Sequence, residues 1–313
     1  MKKLLLKREF GIFVLLLVLC IVVAALNPKF LGAANLQNIG RLIGMYGIFS
    51  IGIGLVIMTG GIDLSIGSMV ALLGVELAML LPHLAWPLAV LAVLGTAVVL
   101  GGLHGLLITR LGLQPFIVTL CGLLFYRGIA RFIANDETKG FGDARGFELL
   151  QNLATGRVLG VPMPLILLLI VAAVMWVVLH RSVYGRYLFA VGRNEEAARY
   201  SGINTRRMIA STYVLSGAFA GVSSILLAFY TNSISPSSHG NFYELYGIAA
   251  AVLGGCSLVG GEGSIFGIVI GTALLQVLQN LVNLLGIPSS LNFAVMGAVI
   301  LIGVVADRLL KNR

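Results

Sequence analysis

Runs of about twenty apolar residues recur along the whole chain, each long enough to cross a hydrocarbon core of ~30 Å as a helix. They fall at 1–27, 41–59, 66–82, 86–109, 114–134, 162–180, 208–230, 244–259, 264–285 and 289–306, and the stretches between them are too short to hold a soluble domain. Inside a bilayer no water meets the backbone N–H and C=O groups, so runs of this length are confined to helices. Composition agrees: 58% of the 313 residues are hydrophobic and only 11% charged, against about 25% charged in soluble chains. Glycine, at 40 residues, is in excess, as suits helices packed backbone to backbone in lipid. The expected fold is all-α: a polytopic membrane protein of about ten transmembrane helices, with 1–313 as one transmembrane domain.

A net charge of +9 would suggest nucleic acid in a soluble protein. Here it sets orientation instead, because cytoplasmic loops collect Lys and Arg. With the N-terminus inside, fourteen of the 21 basic residues fall in inner segments, including Lys2, Lys3, Lys7, Arg8, Arg308, Lys311 and Arg313, and seven fall outside. The outer loop at about 135–160 further offsets its bases with Asp136, Glu137, Asp143 and Glu148. The topology is N-in/C-in. Met1 to Asn27 also fits a secretory signal, with Ala24-Ala25 near a cleavage point, but an uncleaved first span suits a chain that is itself a membrane bundle. Cys20, Cys121 and Cys256 offer neither a disulfide framework nor a CxxC pattern and read as packing. Glycines four apart (Gly40/Gly44, Gly101/Gly105, Gly217/Gly221, Gly263/Gly267/Gly271) mark faces where neighbours approach closely.

Two glycine-rich segments interrupt the apolar pattern: Thr59–Ser68 with Asp63, and Gly254–Ser264. Both are placed at the inner side, each before an apolar helix, as broken or re-entrant segments, and their echo suggests an internal repeat of the kind transporters use. Asp63, followed by Ser65, either caps the helix that starts near Leu64 or serves as a pivot or gate at the inner mouth. Glu76 lies ~15 Å into its helix, where a carboxylate needs a partner or a wet cavity. His104 or a serine would supply the first, and the solute path the second. Arg127 and Arg131, four apart near the outer end of their span, read as arginines reaching for the headgroups. Gln276, Gln279, Asn280 and Asn283 form an amide stripe that faces protein or a pore. Neutral amides suit hydroxylated, uncharged ligands and equally serve as interhelical glue.

Phosphate-loop, HExxH and GxSxG motifs are missing, and the four histidines are scattered over different segments. No catalytic or metal residues are expected. The most informative inner stretch is Tyr184–Ile203. Asn194 suits an N-cap, Glu195 and Glu196 the first turn, and Gly202 the C′ position. The helix between them has about seven residues and is marginal alone in water, so it is expected to dock on a partner, with Ala197 and Ala198 suited to insertion into a groove.

Four segments jointly resemble the permease subunits of bacterial ABC sugar importers of the ribose/galactose/xylose/arabinose type. They are Gly60-Gly-Ile-Asp-Leu-Ser-Ile-Gly-Ser68, Pro115-Phe-Ile-Val-Thr-Leu120 with Arg127-Gly128, Gly192-Arg-Asn-Glu-Glu-Ala-Ala-Arg-Tyr-Ser-Gly-Ile203, and Gly254-Gly-Cys-Ser-Leu-Val-Gly-Gly-Glu-Gly-Ser264. Departures are small: Ile66 where valine is commoner, and Cys256 and Val259 within the last segment. The resemblance implies a multi-pass protein of the bacterial inner membrane that pairs with a second copy or a paralogue. A periplasmic sugar-binding protein would sit above, and ATP-binding subunits that use ATP and Mg below. It makes 194–201 the coupling helix, with Gly192, Asn194, Glu195, Glu196, Ala197, Ala198, Arg199, Ser201 and Gly202 engaging the ATPase. The expected path or gate residues are Asp63, Ser65, Glu76, Phe116, Thr119, Gln276, Asn280 and Asn283. The solute expected is a pentose or hexose, with autoinducer-2 or a polyol as the alternative within the same architecture. A rival of another class, an ion-coupled secondary transporter using Asp63 and Glu76, leaves the short inner helix unexplained. An intramembrane enzyme would need converging catalytic groups.

Overall fold

The computed structural model describes residues 8–141 and 147–288, with a few positions between 291 and 301. The expected span 289–306 falls largely outside the described residues, as do Lys2, Lys3, Lys7, Asp143, Arg308, Lys311 and Arg313. The helices are α1 (Arg8–Leu26), α2 (Ala33–Met58), α3 (Ile66–Leu80), α4 (Trp86–Arg110), α5 (Pro115–Ile133), α6 (Phe147–Thr155), α7 (Met163–Arg181), α8 (Val183–Arg193), α9 (Glu195–Tyr200), α10 (Thr205–Thr231), α11 (Tyr243–Leu253) and α12 (Ile265–Leu284). Six of them, α2, α4, α5, α7, α10 and α12, are long and apolar enough to cross a membrane. The apolar stretch Phe10–Leu26 of α1 and the helices α3 and α11 are shorter.

The core is built around α2 and α10, the two most enclosed spans. Glycine rows bring the helices together as expected. Gly101 and Gly105 of α4 meet Tyr213 and Ala210 of α10, Gly44 of α2 meets Pro164 of α7, and Gly267 and Gly271 of α12 meet Gly254 and Ala250. Outward positions such as Leu91, Val99, Leu124 and Phe132 are exposed and apolar, as a bundle that crosses a bilayer requires.

Two crossings are composite. The 15-residue α3 is ~22 Å long and the 11-residue α11 ~16 Å, both short of a ~30 Å core. Each is completed by an extended segment. After α2, residues 59–65 climb back into the bundle, so that Asp63 meets Ser216, ~16 Å along α10 from its inner end. After α10, residues 232–242 descend from the outer side beside α3. Ile234 packs on Gly74, and Gly240 lies against Gly67, ~20 Å below the outer end of α3. The order long helix, break, short helix, long helix thus occurs twice in opposite directions, as α2–α3–α4 and α10–α11–α12. This arrangement corrects the expected repeat: the counterpart of 59–65 is 232–242, and Gly254–Ser264 is a separate inner segment following α11. It also corrects the expected span 244–259, because the helix stops at Leu253, where Gly254 lets the chain press on Gly267.

The outer loop at about 135–160 carries the helix α6 and two short antiparallel ladders. β1 (Lys139–Gly140) pairs with β4 (Ser233–Ile234), strapping the entrance of the second break, and β2 (Arg157–Val158) pairs with β3 (Val161–Pro162).

Candidate functional site

The two short helices meet N-terminus to N-terminus deep in the bundle, and the polar residues there complete one another. Asp63 Oδ1 accepts the Ser65 backbone N–H at 3.0 Å and the Ser65 hydroxyl at 2.7 Å, and its Oδ2 accepts the Ser216 hydroxyl at 3.0 Å. Asp63 thus binds the N–H of Ser65, the N-cap residue of α3, rather than capping the helix itself, and the carboxylate lies well inside the bundle rather than at the inner mouth. Tyr213 directs its hydroxyl at the Ile62 carbonyl at 3.3 Å and fixes the climbing segment, while the Thr119 hydroxyl, 3.4 Å from the same carbonyl, donates to Pro115 of its own helix at 2.9 Å. Glu244, buried, lies against Gly67 in the first turn of α3, where unpaired N–H groups favour a carboxylate. A Cβ at Gly67 would strike both the Gly240 carbonyl and that carboxylate. Arg127 does not reach for the headgroups: its Nη1 donates to the Pro236 and His239 carbonyls, both at 2.8 Å. Arg131 is exposed and pairs with Asp136 instead.

A second junction lies at the inner face. Gly261 N–H donates to the Met58 carbonyl at 2.9 Å, and Gly192, at the end of α8, leaves no room for a side chain against Met58 and Gly261. Thus the end of α2, the end of α8 and the 254–264 segment cross on glycine backbone. α9 hangs from this crossing. Asn194 caps it by accepting the Ala197 N–H at 2.9 Å. Gly202, at φ +84°, closes it: its N–H donates to Arg199 and that of Ile203 to Ala198, the paired bonds of a Schellman end. Glu195 accepts the Thr205 hydroxyl at 3.0 Å, tying α9 to α10. One expectation fails: Ala198 is buried against its own chain. The free face presents Glu196, Ala197, Arg199 and Tyr200. A cleft of about 740 Å³ opens beside α9, between Gly60, Gln114 and Arg206.

The expected path residues do not form one site. Asp63, Ser65 and Thr119 converge at the deep junction. Glu76 accepts the Thr96 hydroxyl of α4 at 2.8 Å, so its partner is neither His104 nor a serine. His104 instead meets the Tyr126 hydroxyl at 2.8 Å. Phe116 points outward, 52% exposed. On α12, Asn280 exchanges hydrogen bonds with Asn35, the interhelical-glue reading, while Gln276 is buried with Oε1 unpartnered and Asn283 is exposed. Sequence reasoning missed Glu244, Ser216 and the 232–242 segment. A glutamate inside an apolar run was the signal available for the first.

Broken helices meeting at depth, an enclosed bundle and a capped inner helix define a membrane-spanning transport subunit. The chain belongs to the family described as branched-chain amino acid transport system / permease component, which matches residues 35–304. It is similar to the ribose import permease protein RbsC of Bacillus subtilis, 38% identical over 303 residues, 96% of this chain and 93% of that protein. The RbsC of Escherichia coli K12 is 38% identical over 293 residues, 93% and 91% of the two chains. The D-allose transport system permease protein AlsC of the same organism is 33% identical over 316 residues, 97% and 93%. No solved structure matches the chain. The protein is a multi-pass permease subunit of the inner membrane, not an enzyme.

Proposed function

We propose that the chain is the membrane-spanning subunit of an ATP-driven importer that passes a monosaccharide, a pentose or hexose, from a periplasmic binding protein to the cytoplasm. The observation that carries this reading is the likeness, over nearly the whole chain, to permeases named for ribose and allose. ATP and Mg are used by a partner ATP-binding subunit, and a second copy or paralogue completes the path.

In this reading α9 is the coupling helix. Its free face, with Glu196, Arg199 and the 84% exposed Tyr200, enters the ATPase. Because α9 is suspended from the Met58–Gly192–Gly261 crossing, its displacement is felt at once by α2 and by the chain leading to α12. Asp63, Ser65 and Thr119 then act as a fixed point of the moving bundle rather than as solute ligands.

The test is purification of the chain from its native membrane in mild detergent, with mass spectrometry of its companions. An ATP-binding subunit is expected to accompany it and to be lost from Glu196→Lys and Arg199→Glu variants that still insert. A chain that emerges alone from several detergents would remove the importer reading. Unchanged co-purification in both variants would remove α9 as the coupling helix.

A further inference from the structure

We infer that the turn joining α7 to α8 binds an anionic phospholipid of the inner leaflet, with the headgroup phosphate held by Arg181 and Arg186 and the acyl chains laid along α7; the site stands independently of the importer reading.

The chain from Met163 to Arg193 holds no Asp or Glu, and its three arginines, Arg181, Arg186 and Arg193, all lie at this turn or beyond it. The turn is sharp. Gly185 presses on the Leu179 backbone, where a Cβ has no room, and the Ser182 hydroxyl accepts the Gly185 N–H. Tyr184 then meets the Ser211 hydroxyl of α10 at 2.8 Å, and Gly185, Leu188 and Val191 are buried. The opposite side of α8 carries Val183, Arg186 and Tyr187, all exposed, at the spacing of a single helix face. A helix with protein on one side and a basic, apolar and aromatic face on the other suits the membrane interface.

Arg181 does not extend into water. Its guanidinium lies over the Trp176 ring, 5.4 Å from the centroid, and this stacking leaves its N–H donors unspent. Among the described residues neither Arg181 nor Arg186 makes a hydrogen bond or an ion pair. A planar fork of donors matches phosphate oxygens. Outward from Arg181, the exposed Val177, Val174 and Ile170 continue the same face of α7. From Ile170 to Arg181 this stripe is ~16 Å long, the depth of one leaflet of a ~30 Å core. Apolar surface for a chain therefore ends in cations at the level of a headgroup.

Charge decides the occupant. The inner leaflet carries anionic lipid. A second copy centred on this face about a two-fold axis would set Arg181 and Arg186 against their own counterparts. A soluble ATP-binding subunit cannot follow the stripe into hydrocarbon.

The test uses the full-length chain in phosphatidylcholine vesicles with Trp86→Phe, which leaves Trp176 as its one tryptophan. Quenching of Trp176 is measured with phosphatidylcholine or phosphatidylglycerol brominated on the acyl chains. The brominated phosphatidylglycerol is expected to quench with an apparent affinity at least roughly fivefold higher, about the worth of one basic residue beside anionic lipid. Arg186→Gln, which leaves the Arg181–Trp176 stack in place, should remove most of that preference while quenching by brominated phosphatidylcholine stays unchanged. Equal quenching by the two lipids would overturn the inference, as would a preference that survives in the double variant Arg181→Gln/Arg186→Gln. Absence of quenching by either lipid would show that protein, such as a second copy, covers Trp176, and would overturn it as well. Inorganic phosphate that abolishes the preference, where chloride of equal ionic strength does not, would make this a free-phosphate site and not a lipid site.

Discussion

The deep junction and the inner crossing are both made by glycine backbone, yet they are finished differently. At Gly67 and Gly240 the close approach is ringed by polar groups whose partners are all protein: Asp63 with Ser65 and Ser216, Arg127 with two carbonyls. At Gly192 and Gly261 a single hydrogen bond to Met58 crosses the contact, and Val259 beside it is 86% exposed. Water can replace a bond lost at the inner crossing but not one lost at depth. Identical glycine packing therefore yields a rigid node in one place and a joint in the other.

The sharpest break of this comparison is Gly67→Ala. Its Cβ would meet backbone that cannot retreat, and overpacking of this kind costs ~1–3 kcal/mol or more. The expected result is loss of folded protein, read as the absence of a monodisperse peak after solubilisation. Gly192→Ala makes an equally close contact with Met58. There the end of α8, partly exposed at the inner face, must slide off the Met58 carbonyl, and the one Gly261–Met58 hydrogen bond disturbed has a net worth of ~1 kcal/mol. Yield near that of the unsubstituted protein with ATP-driven uptake abolished is the expected pair of results; equal loss of folded protein from both variants would erase the distinction. Asp63→Asn should lower stability by ~1–3 kcal/mol as charge-assisted bonds are lost, seen as a lower thermal midpoint without a change in spectroscopic helicity. Asn194→Ala removes the α9 cap, worth ~1 kcal/mol, and is expected to weaken ATPase binding more than thermal stability. Asp136→Asn should leave both readouts unchanged. The Arg131 hydrogen bond holds the Asp136 carboxyl below its usual value. Whatever this exposed pair contributes is thus present above the ordinary carboxylate range and lost as pH falls through the lowered value.

Much of the bundle is legible in the sequence because hydropathy over a twenty-residue window and side-chain chemistry at helix ends are local. The bounds of α4, α5, α7 and α12 fall within a residue or two of expectation, and Asn194 and Gly202 occupy the capping positions their chemistry favours. What escaped is non-local. Ser235-Pro-Ser-Ser-His-Gly-Asn241 has the composition of an ordinary outer loop. Arg127 and Gly67, both more than a hundred residues earlier, help draw it into the bundle. Likewise Thr96, rather than His104, satisfies Glu76 because helix rotation, not spacing, decides which polar group faces it. Ala198 turned inward for the same reason.

The Asp63–Ser216 bond joins residues 153 apart, and that separation is also an interval of time. A ribosome adding ~5–20 residues per second needs about 8 to 30 s to make the intervening chain. Throughout it α3 is too short to span the bilayer, and its leading carboxylate has no Ser216 to receive. The first half of this protein therefore cannot settle when it emerges. The insertion machinery must shelter an unfinished half-helix until α10 arrives, and mutations that delay or misplace α10 will reveal themselves as degradation of the first half.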